Sequence, residues 1–316
     1  MSQHVIILCP VFNDGNSFNI LQKNLLEAFK SVPDTVIEFV VSDDGSTEPL
    51  NLRPLPPFVI HVIHLKRNIG HQKAIAIGLA YISHHFSCDK ILIMDCDGED
   101  RPEDAVALLK ESTSNPDKIV FAYRKSRQEG TQFVLFYRLY KFMFLLLTGR
   151  KIAFGHFLVL PKSASDRLVH YSEIWNHIPG AILKSGLPFT TIATHKGERY
   201  EGQSKMNFTS LMLHGLGSIA VFIDTIASRL LIFSIMTIIL SLITIMVIIG
   251  IKMFTDLAIP GWASTVVSSL LIVLLQSFLL SLFTIFLYLS SQSQRRFIPA
   301  LHYQDYTGPV ETITHG

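Results

Sequence analysis

Four carboxylates crowd the end of a short apolar run. The run Ile91–Met94 is followed within six residues by Asp95, Asp97, Glu99 and Asp100. Like charges at this spacing repel one another, so we expect something positive to neutralise them. Carboxylate oxygens at this density suit Mg²⁺ or Mn²⁺, and such an ion would in turn hold a diphosphate. The pattern by itself is not specific, because a solvated acidic loop has the same composition.

Alternating strands and helices are predicted on both sides of this run. Apolar β-branched runs predict strands over 5–11, 36–41, 58–65, 90–94 and 118–123, and helical spacing predicts helices over 17–30, 70–85 and 102–112. This order predicts an α/β fold with a mostly parallel sheet and helices on both faces. Ligands of such sheets bind beyond the carboxyl ends of the strands. The polar clusters 13–14, 43–46 and 95–100 are therefore predicted to share one edge.

Composition divides the chain into an ordinary part and an apolar part. Of 316 residues, 49% are hydrophobic and 16% charged, and residues 230–289 are almost entirely apolar. The formal net charge of +2 argues against a dedicated nucleic-acid binder. Cys9, Cys88 and Cys96 form no CxxC pair and lie in apolar contexts, which predicts reduced, buried thiols in a cytosolic domain.

The apolar part is predicted to cross a membrane twice. Arg229 and Lys252 bracket 22 residues without a charge, enough for a helix to cross a hydrocarbon layer of about 30 Å. Ala263–Leu289 supplies a second span. Arg229 precedes the first span and Arg295-Arg296 follows the second. The positive-inside rule therefore predicts a multi-pass protein of the inner (cytoplasmic) membrane, with its N-terminal domain and both termini in the cytoplasm.

Two further apolar segments are predicted to lie in the membrane interface. Residues 131–148 are too short to span and carry Arg138 and Lys141, which predicts an amphipathic interfacial helix, with an ordinary core helix as the alternative. Residues 206–228 include polar positions and predict a second such helix, although whether it lies on or crosses the membrane stays open. The predicted organisation is a catalytic domain over 1–205, an interfacial helix over 206–228, a transmembrane hairpin over 229–290 and a cytosolic tail over 291–316.

Five ordered motifs resemble those of the family 2 glycosyltransferases with the GT-A fold. They are CPVFND at 9–14, DDGS at 43–46, RNIG at 67–70, DCDGE at 95–99 and ERYEGQSK at 198–205. With two C-terminal spans, the chain looks most like the membrane-anchored polyprenyl-phosphate members, such as the dolichol-phosphate mannose synthases and the bactoprenol (undecaprenyl-phosphate) glucosyltransferases. The resemblance covers nearly the whole chain, and five motifs in order are far more specific than any one of them.

The resemblance implies an activity. It implies a GT-A domain that moves a sugar, with inversion, from a UDP- or GDP-sugar to a membrane polyprenyl phosphate, using Mg²⁺ or Mn²⁺. The alternative is a hydroxyl-directed family 2 transferase that extends a lipid-linked or cell-surface glycan. Assembly into homo-oligomers often accompanies interfacial helices in this family. A dinucleotide-binding dehydrogenase is excluded, because no GxGxxG follows the first strand.

The resemblance also implies roles for individual residues. The nucleotide-sugar would be bound by Pro10, Phe12, Asp14, Asp43, Asp44, Arg67, Gly70 and Asp95. The metal would be held by Asp95, Asp97 and Glu99, and the acceptor phosphate by Arg124, Arg127, Arg199, Ser204 and Lys205. The catalytic residues would be Asp97, His156 and Arg199. Taken singly, 43–46 also fits a type I turn, and 67–68 fits an ordinary surface position.

The sequence departs from the family at FGHFL, residues 154–158. The polyprenyl-phosphate enzymes tend to have Asp-Phe-Arg or Gly-Phe-Arg there, whereas this chain has His156 near the expected acid and Leu158 in place of the arginine. A hydroxyl acceptor needs a general base, but a phosphate is already an anion near neutral pH. His156 is therefore a candidate base, an acceptor-site hydrogen-bond partner or a structural histidine, and the missing arginine leaves the acceptor open.

Overall fold

The structure, a computed structural model, describes residues 3–124, 131–151, 154–202, 208–255, 261–293 and 296–314. The chain divides into two units. The larger comprises Met1–Phe142, Lys151–Val221 and Arg296–Gly316, and the smaller comprises Met143–Arg150 and Phe222–Arg295.

An eight-stranded sheet forms the centre of the larger unit. Its strands are β1 (Gln3–Val11), β2 (Thr35–Asp43), β3 (Val59–Leu65), β4 (Lys90–Ile93), β5 (Ile119–Arg124), β6 (Leu158–Pro161), β7 (Phe189–Thr194) and β8 (Thr307–Ile313). They lie in the order β7-β5-β6-β4-β1-β2-β3-β8. The pairs β4–β1, β1–β2, β2–β3 and β5–β7 are parallel, whereas β6 and β8 run antiparallel to their neighbours. The predicted α/β fold with a mostly parallel sheet is confirmed.

Helices connect and follow these strands. They are α1 (Gly15–Phe29), α2 (His71–His85), α3 (Pro102–Ser114), α4 (Thr131–Thr148), α5 (Lys162–Leu168), α6 (Ile178–Ser185), α7 (Phe208–Ala220), α8 (Ile223–Phe254), α9 (Trp262–Ser293) and α10 (Pro299–His302). The first three match the helices predicted between the first five strands. In α3, proline at the first turn followed by Glu103 and Asp104 suits a helix start, since acids there face the positive end of the helix dipole.

Two buried apolar clusters cover the two faces of the sheet. Alternate residues of β1 point to opposite faces, so Ile6 and Leu8 pack with α2, whereas Val5 and Ile7 pack on the side of α1 and α3. Both neighbours of β1 are parallel strands buried on both faces, which is why these strands are continuous apolar runs in the sequence.

The antiparallel strand β6 was not predicted. It inserts between β4 and β5, and its residues Leu158–Pro161 pair with Ile93–Lys90 in the opposite direction. Because it is antiparallel to β4, the residues just before β6 lie beside those just after β4. His156, two residues before β6, is thereby placed next to Asp95, two residues after β4.

The segment predicted as a cytosolic tail contributes to the sheet. Residues Thr307–Ile313 form β8, which pairs antiparallel with β3, and Ala300 and Tyr303 are buried in the cluster around α2. The chain that follows α9 therefore returns to the same unit as the chain that precedes α7.

The smaller unit contains two long apolar helices. Helices α8 and α9 have 32 residues each, and their most apolar 18-residue windows have mean hydropathy of 2.9 and 2.6, with 17% and 6% of those windows buried. By length and composition both are able to cross a membrane. Helix α8 begins at Ile223, so the segment predicted as one helix over 206–228 is divided between α7 and the first turns of α8.

Candidate functional site

The loops after β1 and β2 are joined by Asn13. Its backbone N–H donates to Ser46 Oγ (2.9 Å), and its side chain donates to Thr47 Oγ1 (3.0 Å) and accepts from the Thr47 N–H (2.8 Å). Asn13 adopts φ of 50°, a left-handed conformation that asparagine tolerates better than most residues. The two predicted clusters, 13–14 and 43–46, are thereby held together at one edge of the sheet.

Asp44 holds the loop that precedes α2. One carboxylate oxygen accepts the N–H of Ile69 (2.7 Å) and the other accepts the N–H of Gly70 (3.0 Å). Burial raises the pKa of Asp44, and these two hydrogen bonds partly offset that effect. At Gly45, φ is +71° and a Cβ would lie 2.6 Å from the backbone of Arg67 and Asn68. Only glycine allows the DDGS and RNIG segments to approach this closely.

Asp43 is also buried and paired. Its Oδ1 accepts the N–H of Ser46 (2.9 Å), and its Oδ2 lies 2.8 Å from His64 Nδ1 on β3. The loop after β2 is thus fixed by backbone donors and one histidine.

The loop after β4 folds back on itself through its own acids. The N–H of Asp95 donates to Asp100 Oδ2 (3.0 Å), and the N–H of Glu99 donates to Asp97 Oδ1 (2.9 Å). Gly98 makes the turn at φ of +93°. We name residues 95–100 the acid loop.

The segment 197–200 lies directly against the acid loop. The N–H of Tyr200 donates to the Asp97 carbonyl and the N–H of Gly197 to the Glu99 carbonyl, both at 2.9 Å. A Cβ on Gly98 would lie 2.6 Å from the Glu198 oxygen, and one on Gly197 would lie 2.1 Å from the Gly98 oxygen. Glycine at both positions is what brings the fifth motif onto the fourth.

Among the described residues, three cations neutralise the acid loop. Arg199 binds Asp97 through Nη2 (2.8 Å) and Glu99 through Nε (2.9 Å). Arg124, at the end of β5, bridges Glu99 (3.3 Å) and Asp100 (3.2 Å), and Lys196 lies 3.3 Å from Glu99. The positive charge expected from the sequence is therefore supplied in part by the protein itself.

These surroundings shift the pKa values of the acids in different directions. Burial, with Asp95 nearby, raises the pKa of Asp97, and the same two causes raise the pKa of Asp100 to about 6. Burial alone would also raise the pKa of Glu99, but Arg199, Lys196 and Arg124 outweigh it and lower that pKa. Glu99 is the carboxylate most firmly held in its ionised form by the cations.

Asp95 faces two histidines instead of the cations. His156 Nε2 lies 3.0 Å from Asp95 Oδ2, His71 Nε2 lies 3.4 Å from Asp95 Oδ1, and the two ring nitrogens lie 3.3 Å apart. Burial opposes the charge of Asp95, yet His156 and His71 outweigh it and lower its pKa. Burial likewise opposes the charge of His156, and Asp95 outweighs it and raises the pKa of His156 to about 9.

This trio fits a divalent cation. Among the described residues, His71, Asp95 and His156 form the one group of three ligand atoms that all lie within 4.8 Å of one another. Asp95 Oδ1 is buried, and although His71 Nε2 lies 3.4 Å away, this oxygen accepts no hydrogen bond from the described residues. Burying a carboxylate oxygen without a donor is costly, and a bound ion would remove that cost.

The predicted site residues are distributed as follows. Pro10 is buried on β1, Phe12 and Asp14 are half-buried in the loop after it, and Arg67 is exposed beside the Asp44 loop. Asp97 and Glu99 contact Arg199, whereas Asp95 contacts the histidines, so the three predicted metal ligands face different partners. Arg127, Ser204 and Lys205 lie outside the described residues. The predicted roles in binding donor, acceptor and metal remain predictions.

Three participants were missed by the sequence analysis. His71 follows RNIG directly, Lys196 lies two residues before the ERYEGQSK motif, and Asp100 was counted among the acids without a role. For His71, the only sequence signal is its place at the first position of a helix that begins at the predicted edge.

Comparisons with known proteins identify the family of this chain. The family model described as glycosyl transferase family 2 matches residues 6–168, more than half of the chain. The uncharacterized glycosyltransferase YkcC of Bacillus subtilis is 26% identical over 282 residues, covering 84% of this chain and 83% of that protein. The undecaprenyl-phosphate 4-deoxy-4-formamido-L-arabinose transferase of Edwardsiella ictaluri is 26% identical over 219 residues, covering 66% of this chain and 65% of that protein.

A solved structure shares the fold. The crystal structure of glucosyl-3-phosphoglycerate synthase from Mycobacterium tuberculosis, in complex with Mn²⁺, UDP-glucose and phosphoglyceric acid, has a TM-score of 0.50 and 13% identity, covering 71% of this chain and 80% of that chain. At this identity the likeness shows the fold alone, a GT-A-like arrangement of the sheet.

Proposed function

Because the chain belongs to glycosyl transferase family 2, we propose that it moves a sugar, with inversion, from a nucleotide-diphospho-sugar to a membrane polyprenyl phosphate. The observation that carries the proposal is the contact of Arg199 with Asp97 and Glu99. This contact connects two predicted parts of the site. The acids are expected to bind the donor, and the cationic segment is expected to bind the acceptor phosphate. Relatives that use undecaprenyl phosphate support this acceptor.

Different residues of the site would bind different parts of the donor. The nucleoside would lie over the loops held by Asn13 and Asp44, and the diphosphate would lie at the acid loop. Arg199, Arg124 and Lys196 surround that position with donors, and arginine suits forked contact with phosphate oxygens. As the bond from the anomeric carbon to the diphosphate breaks, these cations stabilise the charge that develops on the leaving group. A divalent cation, when bound, would add Lewis-acid stabilisation of the same charge.

His156 bears on the nature of the acceptor. Asp95 raises the pKa of His156 to about 9, and the Nε2 of this ring is directed at the Asp95 carboxylate. A ring nitrogen that is already engaged by a carboxylate or by a metal ion is not available to accept a proton from a hydroxyl acceptor. This favours a phosphate acceptor, which needs no base, over the hydroxyl-directed alternative.

Membrane attachment is supported by two features. Helices α8 and α9 are long and apolar enough to cross a membrane, and both ends of this pair connect to the larger unit. Two crossings return the chain to the side from which it left, so the pair is compatible with spanning. On α4 and α7, the apolar side chains Leu139, Leu213 and Leu216 are more than half exposed, as expected of interfacial helices.

Orientation can be measured directly. With the larger unit in the cytoplasm, a C-terminal green fluorescent protein fusion should fluoresce and a C-terminal alkaline phosphatase fusion should be inactive. The reverse pattern would place the C-terminus outside and contradict the proposed topology.

The transfer reaction is tested with purified full-length protein in nanodiscs. The protein is incubated with undecaprenyl phosphate, Mg²⁺ or Mn²⁺, and a panel of UDP- and GDP-sugars, and the lipid fraction is analysed by mass spectrometry. We expect one donor to yield a lipid-phosphate-sugar that mild acid cleaves. An acid-stable, extended glycan would indicate the hydroxyl-directed alternative, and no lipid product with any donor would overturn the proposal.

A further inference from the structure

The two histidines on Asp95 come from distant parts of the chain. His71 is the first residue of α2, Asp95 follows β4, and His156 precedes β6. Each is delivered by a different element, and all three meet at the carboxyl edge of the sheet. The rings of His71 and His156 have centroids 4.5 Å apart and are inclined by 66°, and both Nε2 atoms face the Asp95 carboxylate.

The distances match those of ligands around one ion. The two Nε2 atoms are 3.3 Å apart, and each lies 3.0–3.4 Å from an oxygen of Asp95. Nitrogen ligands about 2.0–2.1 Å from Zn²⁺ lie about 3.3 Å apart at a tetrahedral angle. Ligands packed at this spacing without an ion leave Asp95 Oδ1 buried and without a hydrogen bond.

We propose that His71, Asp95 and His156 form a binding site for a divalent transition-metal ion and prefer such an ion to Mg²⁺. Two imidazoles and one carboxylate suit Zn²⁺, Co²⁺ or Mn²⁺, whereas Mg²⁺ favours oxygen ligands and its own waters. Three protein ligands leave a position open for another oxygen. Binding of the ion stands on the geometry alone, and its use with a donor diphosphate rests on the proposed function.

This site differs from one made by the acids alone. Asp97 and Glu99 are bound to Arg199, so they are not part of the trio. A site made by Asp95, Asp97 and Glu99 would depend on Asp97 and be indifferent to both histidines. The proposed site depends on His71 and His156 and does not require Asp97. The two arrangements therefore respond to different substitutions.

The test uses full-length protein in detergent, treated with a chelator and then titrated with Co²⁺. Cobalt bound to nitrogen ligands in a low-coordinate site gives strong visible absorption. We expect one Co²⁺ per chain that excess Mg²⁺ does not displace. His71→Ala and His156→Ala should each weaken binding by about 100-fold or more, since loss of even an outer partner of a ligand costs about 10–100-fold.

Matched variants separate the site from general damage. His170→Ala removes an exposed histidine that follows α5 and should bind Co²⁺ as the wild type does. Asp97→Asn should also retain Co²⁺. The melting temperature of every variant is recorded, and a histidine variant that melts early is replaced by His71→Gln or His156→Gln.

The outcomes distinguish this proposal from the proposed function. Loss of Co²⁺ in Asp97→Asn but not in the histidine variants would overturn the site, as would equal preference for Mg²⁺ or no binding at all. Co²⁺ binding without sugar transfer would support the site and count against the function. Transfer with Mg²⁺ and no Co²⁺ binding would support the function and overturn the site.

Discussion

The acids after β2 and the acids after β4 occupy the same edge of one sheet, yet they are satisfied in different ways. Asp44 accepts two backbone N–H groups, and Asp43 accepts one more together with His64. Asp97 also accepts one backbone N–H, from Glu99, but its other oxygen and the Glu99 carboxylate are held by the side chain of Arg199, and Asp95 faces two histidines. The first group mainly fixes the backbone, whereas the second group has, besides its backbone donors, side-chain cations as partners, and these can exchange.

We infer from this difference that the acids after β2 fix the conformation of their loop, whereas the acids after β4 take part in the chemistry. A backbone donor cannot leave without unfolding the loop, so Asp43 and Asp44 act through the conformation that they impose. A side-chain cation can swing away and bind an incoming phosphate at little cost to the fold. The comparison therefore predicts that substitutions after β4 act on activity, and that substitutions after β2 act on stability first.

The largest expected effect is loss of activity in Asp97→Asn. Removing this charge breaks one of the two ion pairs of Arg199, which keeps its contact with Glu99, and deprives the donor site of one carboxylate. Transfer to lipid should fall by about 10²–10³-fold, as for other losses of a preorganised electrostatic partner. The melting temperature should stay the same or rise, because burial already disfavours the charge of Asp97, as its raised pKa shows. Scanning fluorimetry and the transfer assay check the two halves. A large drop in melting temperature would contradict the distinction between the loops.

Asp44→Asn should lower the stability of the protein first, in contrast to Asp97→Asn. The new amide replaces an oxygen that accepts a backbone N–H from Ile69 or Gly70, so one donor loses its acceptor inside the protein. The expected loss is about 1–3 kcal/mol, which lowers the melting temperature by several degrees. Thermal unfolding measures it against Asp97→Asn as the matched control. If Asp44→Asn melts as the wild type does, the loop after β2 does not depend on these bonds.

The smallest expected effect concerns a charge pair away from the site, Glu173 and Lys184. Lys184 Nζ lies 2.9 Å from Glu173. Burial would raise the pKa of Glu173, but the hydrogen bond from Lys184 outweighs it and lowers the pKa below the ordinary 4.5. A depressed carboxyl pKa contributes stability above the unfolded value and loses it as the pH falls through the folded value.

Lys184→Met should therefore be less stable than the wild type at neutral pH, by up to about 1 kcal/mol. The difference should vanish as the pH falls through the lowered pKa of Glu173, because protonation of Glu173 removes the charge pair from the wild type as well. Melting curves across this pH range test it, with transfer activity unchanged at neutral pH. If the difference in stability between Lys184→Met and the wild type persists in acid, Lys184 acts through packing. The Glu173–Lys184 pair would then not serve as a comparison for the charge pairs of the acid loop.

Local patterns accounted for much of the fold. The runs at 5–11 and 36–41 are apolar because strands inside a parallel sheet are buried on both faces, and this makes them readable without tertiary information. Pro102 with two acids behind it marks the start of α3 in the same local way. Strands β6 and β8 could not be predicted from the sequence, because each is short or half-exposed and is defined by its pairing with a strand far away in the chain.

In the candidate site, too, some residues could be predicted from local sequence and others could not. Residues Asp44, Asp97 and Arg199 were identified because they lie in ordered motifs, and the structure brings the last two together at 2.8 Å. For His71, the only sequence signal is its place at the start of α2. His156 stood out only as a departure from the family, and its neighbour Asp95 became evident through the antiparallel register of β6 and β4.

The sequence by itself determined the alternation of strands and helices, the two long apolar helices and the type of chemistry available at the strand ends, because these follow from periodicity, hydropathy and local composition. Only the tertiary structure decided which charge meets which. Pairing at this edge depends on the order of the strands, on the direction of β6 and on the close approach allowed by Gly98 and Gly197. Contacts between residues 24–100 positions apart are set by how the whole sheet assembles, which no local stretch of sequence encodes.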